Sequence, residues 1–230
     1  MNSKQLIKSL EDLNNRQKPE LYDVNNFKVW DKLGKQFTGD IWNNGEYIWK
    51  IECYSQLIKD LQPSVIFETG FNIGRSSCMF LNQSNKLVNN PVKFYSNDIH
   101  KRSLTNVKLL QNEFDNFEFL LGDSKILLPP YLKENNLKID FALVDGDHSY
   151  EGARVDCLSF QPHINEGGII FVDDWWIKDV AQGALDARWD GWTIYQVPKY
   201  ERGAVVFLKD GGNGEFKRFN TISTVGLFNS

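Results

Sequence analysis

The stretch "IDFALVDGDHSYEGARVDCLSFQPHINEGGIIFVDDWW", residues 139–176, decides the fold class. Two short apolar runs within it each end in aspartates, and residues 150–161 between them carry apolar positions at helical spacing. The spacing predicts a helix over 150–161 that ends before Pro162, because proline cannot continue a helix. Strand, helix and strand in this order predict one unit of a parallel sheet.

The same alternation of strands and helices begins near residue 64, and it predicts an α/β protein. The predicted strands are 64–70, 92–99, 117–124, 139–146 and 167–175, and the predicted helices are 74–86, 102–115, 125–135, 150–161 and 178–189. The runs "GWTIYQVP" (191–198) and "GAVVFLKD" (203–210) are too close together for a helix between them. They predict an antiparallel hairpin after the parallel strands.

A turn rich in glycine follows the first predicted strand, in "FETGFNIGRSS". Glycines at a strand-to-helix turn let the backbone approach a ligand closely, and the start of the helix offers free N–H groups. A dinucleotide-binding fingerprint would need glycine at positions 72 and 75, where Asn72 and Arg75 stand. The turn therefore predicts a different ligand, although a tight turn without any ligand is the alternative.

Acidic residues follow the other predicted strands. Asp98 is placed to accept hydrogen bonds from both hydroxyls of a ribose, or else to cap the next helix. Asp145, Asp147, Asp173 and Asp174 should converge, because the carboxyl ends of parallel strands meet at one edge of the sheet. Such a cluster of carboxylates favours a divalent cation with oxygen ligands, Mg²⁺, Ca²⁺ or Mn²⁺, of which we expect Mg²⁺, whereas caps or ion pairs with Arg154 or Lys178 are the alternative.

These motifs resemble one family. The segment 64–176 is similar to the class I S-adenosylmethionine-dependent methyltransferases of the methyltransferase domain 24 family, including macrocin-type metal-dependent sugar O-methyltransferases and the cephalosporin-hydroxylase-like group. The resemblance implies a Rossmann-like class I methyltransferase fold, with a mostly parallel seven-stranded sheet and a C-terminal antiparallel hairpin. Residues 1–60 would form an N-terminal helical cover segment, and 61–230 the methyltransferase domain.

The resemblance also implies the cofactor site. S-adenosylmethionine would have its methionine part lined by Gly70, with Phe71 and Gly74 in the same loop. Glu68 would lie beneath it, and Ser76 near the start of the helix. Asp123 would meet the adenine amino group, or cap the following helix, and Asp145 would border the cofactor.

The metal ligands implied by the resemblance are Asp145, Asp173 and Asp174. Methyl transfer is an in-line displacement, and a metal would orient an acceptor hydroxyl and lower its pKa. Asp147 and His148 are both candidates for the base that takes the hydroxyl proton. Trp175 or Trp176 could stack on a sugar or an aromatic ring, or fill the core.

The composition limits the classes of substrate and partner that we expect for this protein. A net charge of -4 without a basic stripe argues against nucleic acid, which leaves a small molecule or a sugar as the expected substrate. Three cysteines without paired spacing indicate free thiols, and no segment reads as a signal peptide or a membrane span, so we expect a cytoplasmic protein. The sequence is compatible with a homo-oligomer. Alternatives to the metal-dependent enzyme are a metal-independent methyltransferase and a non-catalytic member of the fold.

Overall fold

We analysed a computed structural model, which describes residues 3–15, 27–33, 45–197 and 203–217. These residues form a mixed sheet with helices on both faces. The helices are α1 (Ser3–Asn15), α2 (Gly45–Leu61), α3 (Arg75–Leu87), α4 (Leu104–Glu113), α5 (Ser124–Glu134), α6 (Tyr150–Phe160) and α7 (Lys178–Leu185). The strands are β1 (Val65–Thr69), β2 (Lys93–Asp98), β3 (Phe117–Leu121), β4 (Ile139–Val144), β5 (Ile164–Val172), β6 (Gly191–Val197), β7 (Ala204–Gly212) and β8 (Phe216–Lys217).

The strand order is β3-β2-β1-β4-β5-β7-β6-β8. Strands β1 to β5 run parallel, and β7 lies antiparallel between β5 and β6. The predicted α/β fold with its antiparallel hairpin is confirmed. Within the described residues the sheet has eight strands, not seven, because the short β8 adds to β6 in parallel. The residues that join β6 to β7 lie outside the described part.

Both faces of the sheet are buried, which explains why its strands read as nearly continuous apolar runs. Ile66 and Phe67 are both fully buried, and they belong to cores on opposite faces of β1. Helices α1 to α4 cover one face, and α5 to α7 cover the other. The N-terminal helices thus share a core with the sheet, through side chains such as Leu10 and Leu57.

The N-terminal segment also contacts the sheet domain through Trp30. Its ring lies 4.3 Å from the Arg75 guanidinium at the start of α3, which is a cation–π distance. Trp42 and the side chain of Trp49, also in this N-terminal segment, fall outside the described residues. The three cysteines, Cys53, Cys78 and Cys157, are buried and unpaired, as expected.

The register of the central strands aligns the places where they end. Thr69 pairs with Val144, and Val144 pairs with Val172. The next residue of each strand, Gly70, Asp145 and Asp173, therefore starts a loop at the same edge of the sheet. β1 and β4 are also the point where the strand order reverses, which is where open α/β sheets bind ligands.

Gly70 makes this alignment possible. Its φ is +92°, and a Cβ placed on it would lie 1.9 Å from the backbone oxygen of Asp145. A side chain here would drive the ends of β1 and β4 apart. The close neighbour of Gly70 is thus the protein's own chain, and the approach of this turn to a ligand stays a prediction.

We predict that Gly70→Ala lowers the free energy of unfolding by about 3 kcal/mol or more, because a strained φ and a steric overlap add together. Gly191→Ala is the matched control, since Gly191 has a φ of +88° with nothing within 4 Å of its Cβ position. It should cost only about 1 kcal/mol. Denaturant unfolding of the two variants measures the difference, and equal losses would contradict the clash.

Candidate active site

The loop after β1 is tied to the end of β2. The backbone N–H groups of Gly70 and Phe71 both donate to the backbone oxygen of Asn97, over 2.9 and 3.1 Å. Asp98 accepts from the N–H of Asn72 at 2.6 Å and from that of His100 at 2.7 Å. One carboxylate therefore shapes the loop, and each of its oxygens retains a second lone pair for a ligand.

Phe71 and Gly74 fix the shape of the same loop. The Phe71 ring is buried against Phe117 and Phe119, and a Cβ on Gly74 would lie 2.4 Å from that ring. Only the backbone of Phe71 is thus left to line a cofactor. Asp123 caps α5 by accepting from the N–H of Lys125 at 3.0 Å, as its capping alternative predicted. Its contact with adenine stays a prediction.

Glu68 lies under the loop with no exposed surface. Its carboxylate accepts from the hydroxyls of Ser76 and Ser77, and from that of Ser96 at 2.7 Å. Burial raises the pKa of Glu68 to about 7, and the three hydroxyls only partly oppose this rise. Glu68 and Ser76 thus bind each other below the predicted methionine site.

The acids that follow β4 and β5 lie at two depths: Asp145 and Asp174 lie toward the outside, and Asp173 lies farther inside. We call Asp145, His148 and Asp174 the outer group. One ligand atom from each lies within 4.8 Å of the others. His148 Nε2 lies 3.6 Å from Asp145 Oδ1 and 3.4 Å from Asp174 Oδ2. The Asp145 carboxylate beside the ring is the main reason why the pKa of His148 is raised, whereas burial raises the pKa of Asp145.

Asp173 points the other way, toward α2. Its Oδ2 forms an ion pair with Lys50 Nζ and accepts from the Tyr54 hydroxyl at 3.3 Å. Its Oδ1 accepts from the N–H of Asp174 at 2.8 Å. The structure therefore brings Asp145 and Asp174 together with His148, and it places Asp173 against a lysine. A role of Asp173 as a metal ligand stays a prediction.

Asp147 is separated from the outer group by its own contacts. Its Oδ2 forms an ion pair with Lys125 at 2.6 Å, and its Oδ1 accepts from the N–H of Ser149 at 3.0 Å. The bond to Lys125 lowers the pKa of Asp147, which makes it a weaker base. Of the two candidates for the base, His148 is the one beside Asp145 and Asp174.

The tryptophans after β5 take different positions. Trp175 is buried, with its ring stacked on Phe216 at 6.4 Å. Trp176 is 51 % exposed, and its indole N–H donates to Asp174 Oδ1 at 3.1 Å. Trp189 and Trp192 are buried in the core. Only Trp176, among these four, presents a ring next to the outer group.

Residues 67–175 match the family model described as a methyltransferase domain. This segment is a methyltransferase domain. The match confirms the resemblance to the methyltransferase domain 24 family and covers the glycine turn and the acids after β4 and β5. No curated protein matches the sequence significantly.

Solved structures share the fold of the methyltransferase domain over most of the chain. CalS11, a TDP-rhamnose 3'-O-methyltransferase of calicheamicin biosynthesis, is 17 % identical with a TM-score of 0.65, covering 91 % of this chain and 94 % of its own. The methyltransferase PaMTH1 from Podospora anserina, bound to SAH, is 11 % identical with a TM-score of 0.63, covering 90 % and 96 %. The O-methyltransferase TomG from Streptomyces achromogenes, in complex with SAM, is 15 % identical with a TM-score of 0.61, covering 91 % and 97 %.

The sequence analysis missed Lys50, Tyr54 and Lys125, whose side chains contact the aspartates that follow β4 and β5. Lys50 and Tyr54 lie four positions apart in α2, and so on one face of that helix. This spacing was visible, but it could not reveal that the face meets an aspartate more than a hundred residues away. No helix in the described ranges is long and apolar enough to cross a membrane.

We predict that Glu68→Gln removes a pH dependence of stability. The raised pKa means that the folded protein holds the proton more tightly than the unfolded chain, so stability falls as pH rises from about 4.5 to about 7. Glu68 should contribute about 3 kcal/mol to the loss in the native protein, and this contribution should disappear in the variant. Denaturant unfolding at pH 5 and pH 8 measures it, with the exposed Glu151→Gln as the control. An unchanged difference between the two pH values would contradict the assignment to Glu68.

Proposed function

We propose that this protein is an S-adenosylmethionine-dependent O-methyltransferase that acts on a hydroxyl group of a small molecule, with a sugar as the leading candidate. The observation that carries the proposal is the outer group, two carboxylates and an imidazole at the carboxyl ends of β4 and β5. It adjoins the glycine turn of a methyltransferase domain. An arrangement of this kind can hold a hydroxyl and take its proton.

The cofactor site is proposed at the loop after β1. S-adenosylmethionine supplies an electrophilic methyl group on a sulfonium. The free lone pairs of Asp98 suit the ribose hydroxyls, and the backbone from Gly70 to Gly74 suits the methionine part. Asp123 would meet the adenine through the oxygen that does not cap α5.

A divalent cation is proposed between Asp145 and Asp174. The residues fit it, because two adjacent, half-buried carboxylates favour a cation between them, and Mg²⁺ is commonly held by one or two carboxylates with water and substrate completing the shell. Such a cation would orient the acceptor hydroxyl and lower its pKa. The outer group offers one histidine and no cysteine beside its two carboxylates, whereas Zn²⁺ sites are built mainly from several cysteines and histidines.

His148 is proposed as the base. Its Nε2 lies beside both carboxylates that would hold the acceptor, and its raised pKa reflects how well those carboxylates stabilise the imidazolium formed when it takes the proton. The imidazole nitrogen has one lone pair, so at the moment of proton transfer it does not serve as a ligand. Asp147 lacks this position and is held by Lys125.

The acceptor class rests on Trp176 and on charge. An exposed indole ring next to hydroxyl-binding carboxylates suits the apolar face of a sugar ring. The comparison protein CalS11 is named for transfer to a sugar, TDP-rhamnose. The net charge of -4 argues against nucleic acid as the acceptor.

A metal-independent methyltransferase is the second candidate. The Lys50 ammonium, buried between Asp145 and Asp173, favours it, because a fixed cation already offsets part of the acidic charge. A chelator separates the two candidates, since only the metal-dependent enzyme loses activity.

The function is tested by incubating the protein with methyl-labelled S-adenosylmethionine and a panel of acceptors, with added Mg²⁺ or with a chelator. The panel contains nucleotide sugars, free sugars, catechols and amines. We expect label in a nucleotide sugar or another hydroxylated acceptor, and at least a tenfold loss with chelator. Transfer to amines alone, or calorimetry that detects no cofactor binding, would overturn the proposal.

We further predict that His148→Gln lowers kcat by about 10²- to 10⁴-fold, the range usual for loss of a general base. Asp147→Asn should lower it by less than about tenfold. Steady-state kinetics on the best acceptor measures both, and calorimetric cofactor affinity, unchanged in each, serves as the control for folding. The reverse order of losses would assign the proton to Asp147.

A further inference from the structure

Lys50 lies at the inner end of the acid cluster. Its Nζ forms an ion pair with Asp173 and lies 3.5 Å from Asp145 Oδ2. The Lys50 side chain is 7 % exposed and that of Asp173 is 1 % exposed, so water screens this charge poorly. One positive charge thus already lies between the carboxylates that follow β4 and β5.

We propose that Lys50 is a built-in cation that withholds Asp173 from any divalent ion and confines such an ion to the outer group. The proposal rests on the cation site put forward above. It concerns which carboxylates pair with Lys50 and which can bind the divalent ion. Lys50 is a positioning residue in this scheme, because it acts through Asp173 and Asp145.

The oxygens of Asp173 are already occupied by protein donors. Oδ2 faces the Lys50 ammonium and the Tyr54 hydroxyl, and Oδ1 accepts from the backbone N–H of Asp174. Binding a cation would pull Asp173 away from Lys50 and leave a buried ammonium without that partner. Removing one member of a buried ion pair is strongly unfavourable, so the ion is expected to bind elsewhere.

Asp145 lies between Lys50 on the inner side and the rest of the outer group on the other. Its Oδ2 faces inward to Lys50, whereas its Oδ1 faces outward to His148. Asp174 contributes its carboxylate to the outer side only, through His148 and Trp176. The two oxygens of one aspartate therefore serve two cations, the fixed ammonium and an exchangeable ion.

The test is a titration of the full-length protein with Mn²⁺, followed by calorimetry and by electron paramagnetic resonance of the free ion. Asp174→Asn should weaken binding at least tenfold, and Asp173→Asn less than twofold. Lys50→Met should strengthen binding at least tenfold, because it removes the competing charge and releases Asp173. Adding Asp173→Asn to that variant should abolish most of the gain.

Lys59→Met is the matched control, since Lys59 is an exposed lysine of the same helix, and it should leave the affinity unchanged. Lys50→Gln removes the charge but keeps a donor for Asp173, so it serves if Lys50→Met unfolds in a thermal melt. A wild type without measurable affinity that gains it in Lys50→Met would also support the proposal.

Two results would overturn it. One is a tenfold or greater weakening by Asp173→Asn in the wild-type background, which would make Asp173 a ligand. The other is an affinity unchanged or weakened by both Lys50→Met and Lys50→Gln. The titration requires no methyl transfer, so a failure of the proposed enzymatic function appears in the acceptor assay and leaves this result intact.

Discussion

The crowding of carboxylates at one partly buried edge of the sheet is the constraint on which the rest of the site depends. Parallel strands that end in register place their following residues side by side, and here several of those residues are acidic. Charges of one sign in a poorly screened place destabilise the fold unless each is compensated. The group that offsets the negative charge differs from one acid to the next. This difference decides which of the acids remain available for catalysis.

Most of the acids are compensated by the protein itself. Glu68 is held by serine hydroxyls, and burial raises its pKa to about 7, whereas Asp98 accepts backbone N–H groups. Asp147 and Asp173 each face a lysine. Asp145 lies 3.5 Å from the same Lys50 ammonium through its Oδ2, and it shares the imidazole of His148 with Asp174. The chemistry of the site therefore depends more on Asp145, Asp174 and His148 than on the number of aspartates in the sequence.

The sequence predicted the fold and the row of acids because both depend on short-range patterns. Alternating apolar runs and the residues that follow them locate strands, helices and strand ends, and the strand order then groups the acids. It did not predict β8, since two residues carry no periodic pattern. It also could not separate Asp173 from Asp174, because the difference comes from Lys50 and Tyr54, far away along the chain.

This separation gives the N-terminal helices a role beyond covering the sheet. Helix α2 packs in the same core as β1 and β5, and the face that packs there also carries the ammonium that meets Asp173. A shift of α2 would therefore change the charge balance at Asp145 directly, through one ion pair. The helix that reads in the sequence as a plain cover thus sets the electrostatics of the site beneath it, and the electrostatics of the acids cannot be derived from the methyltransferase domain alone.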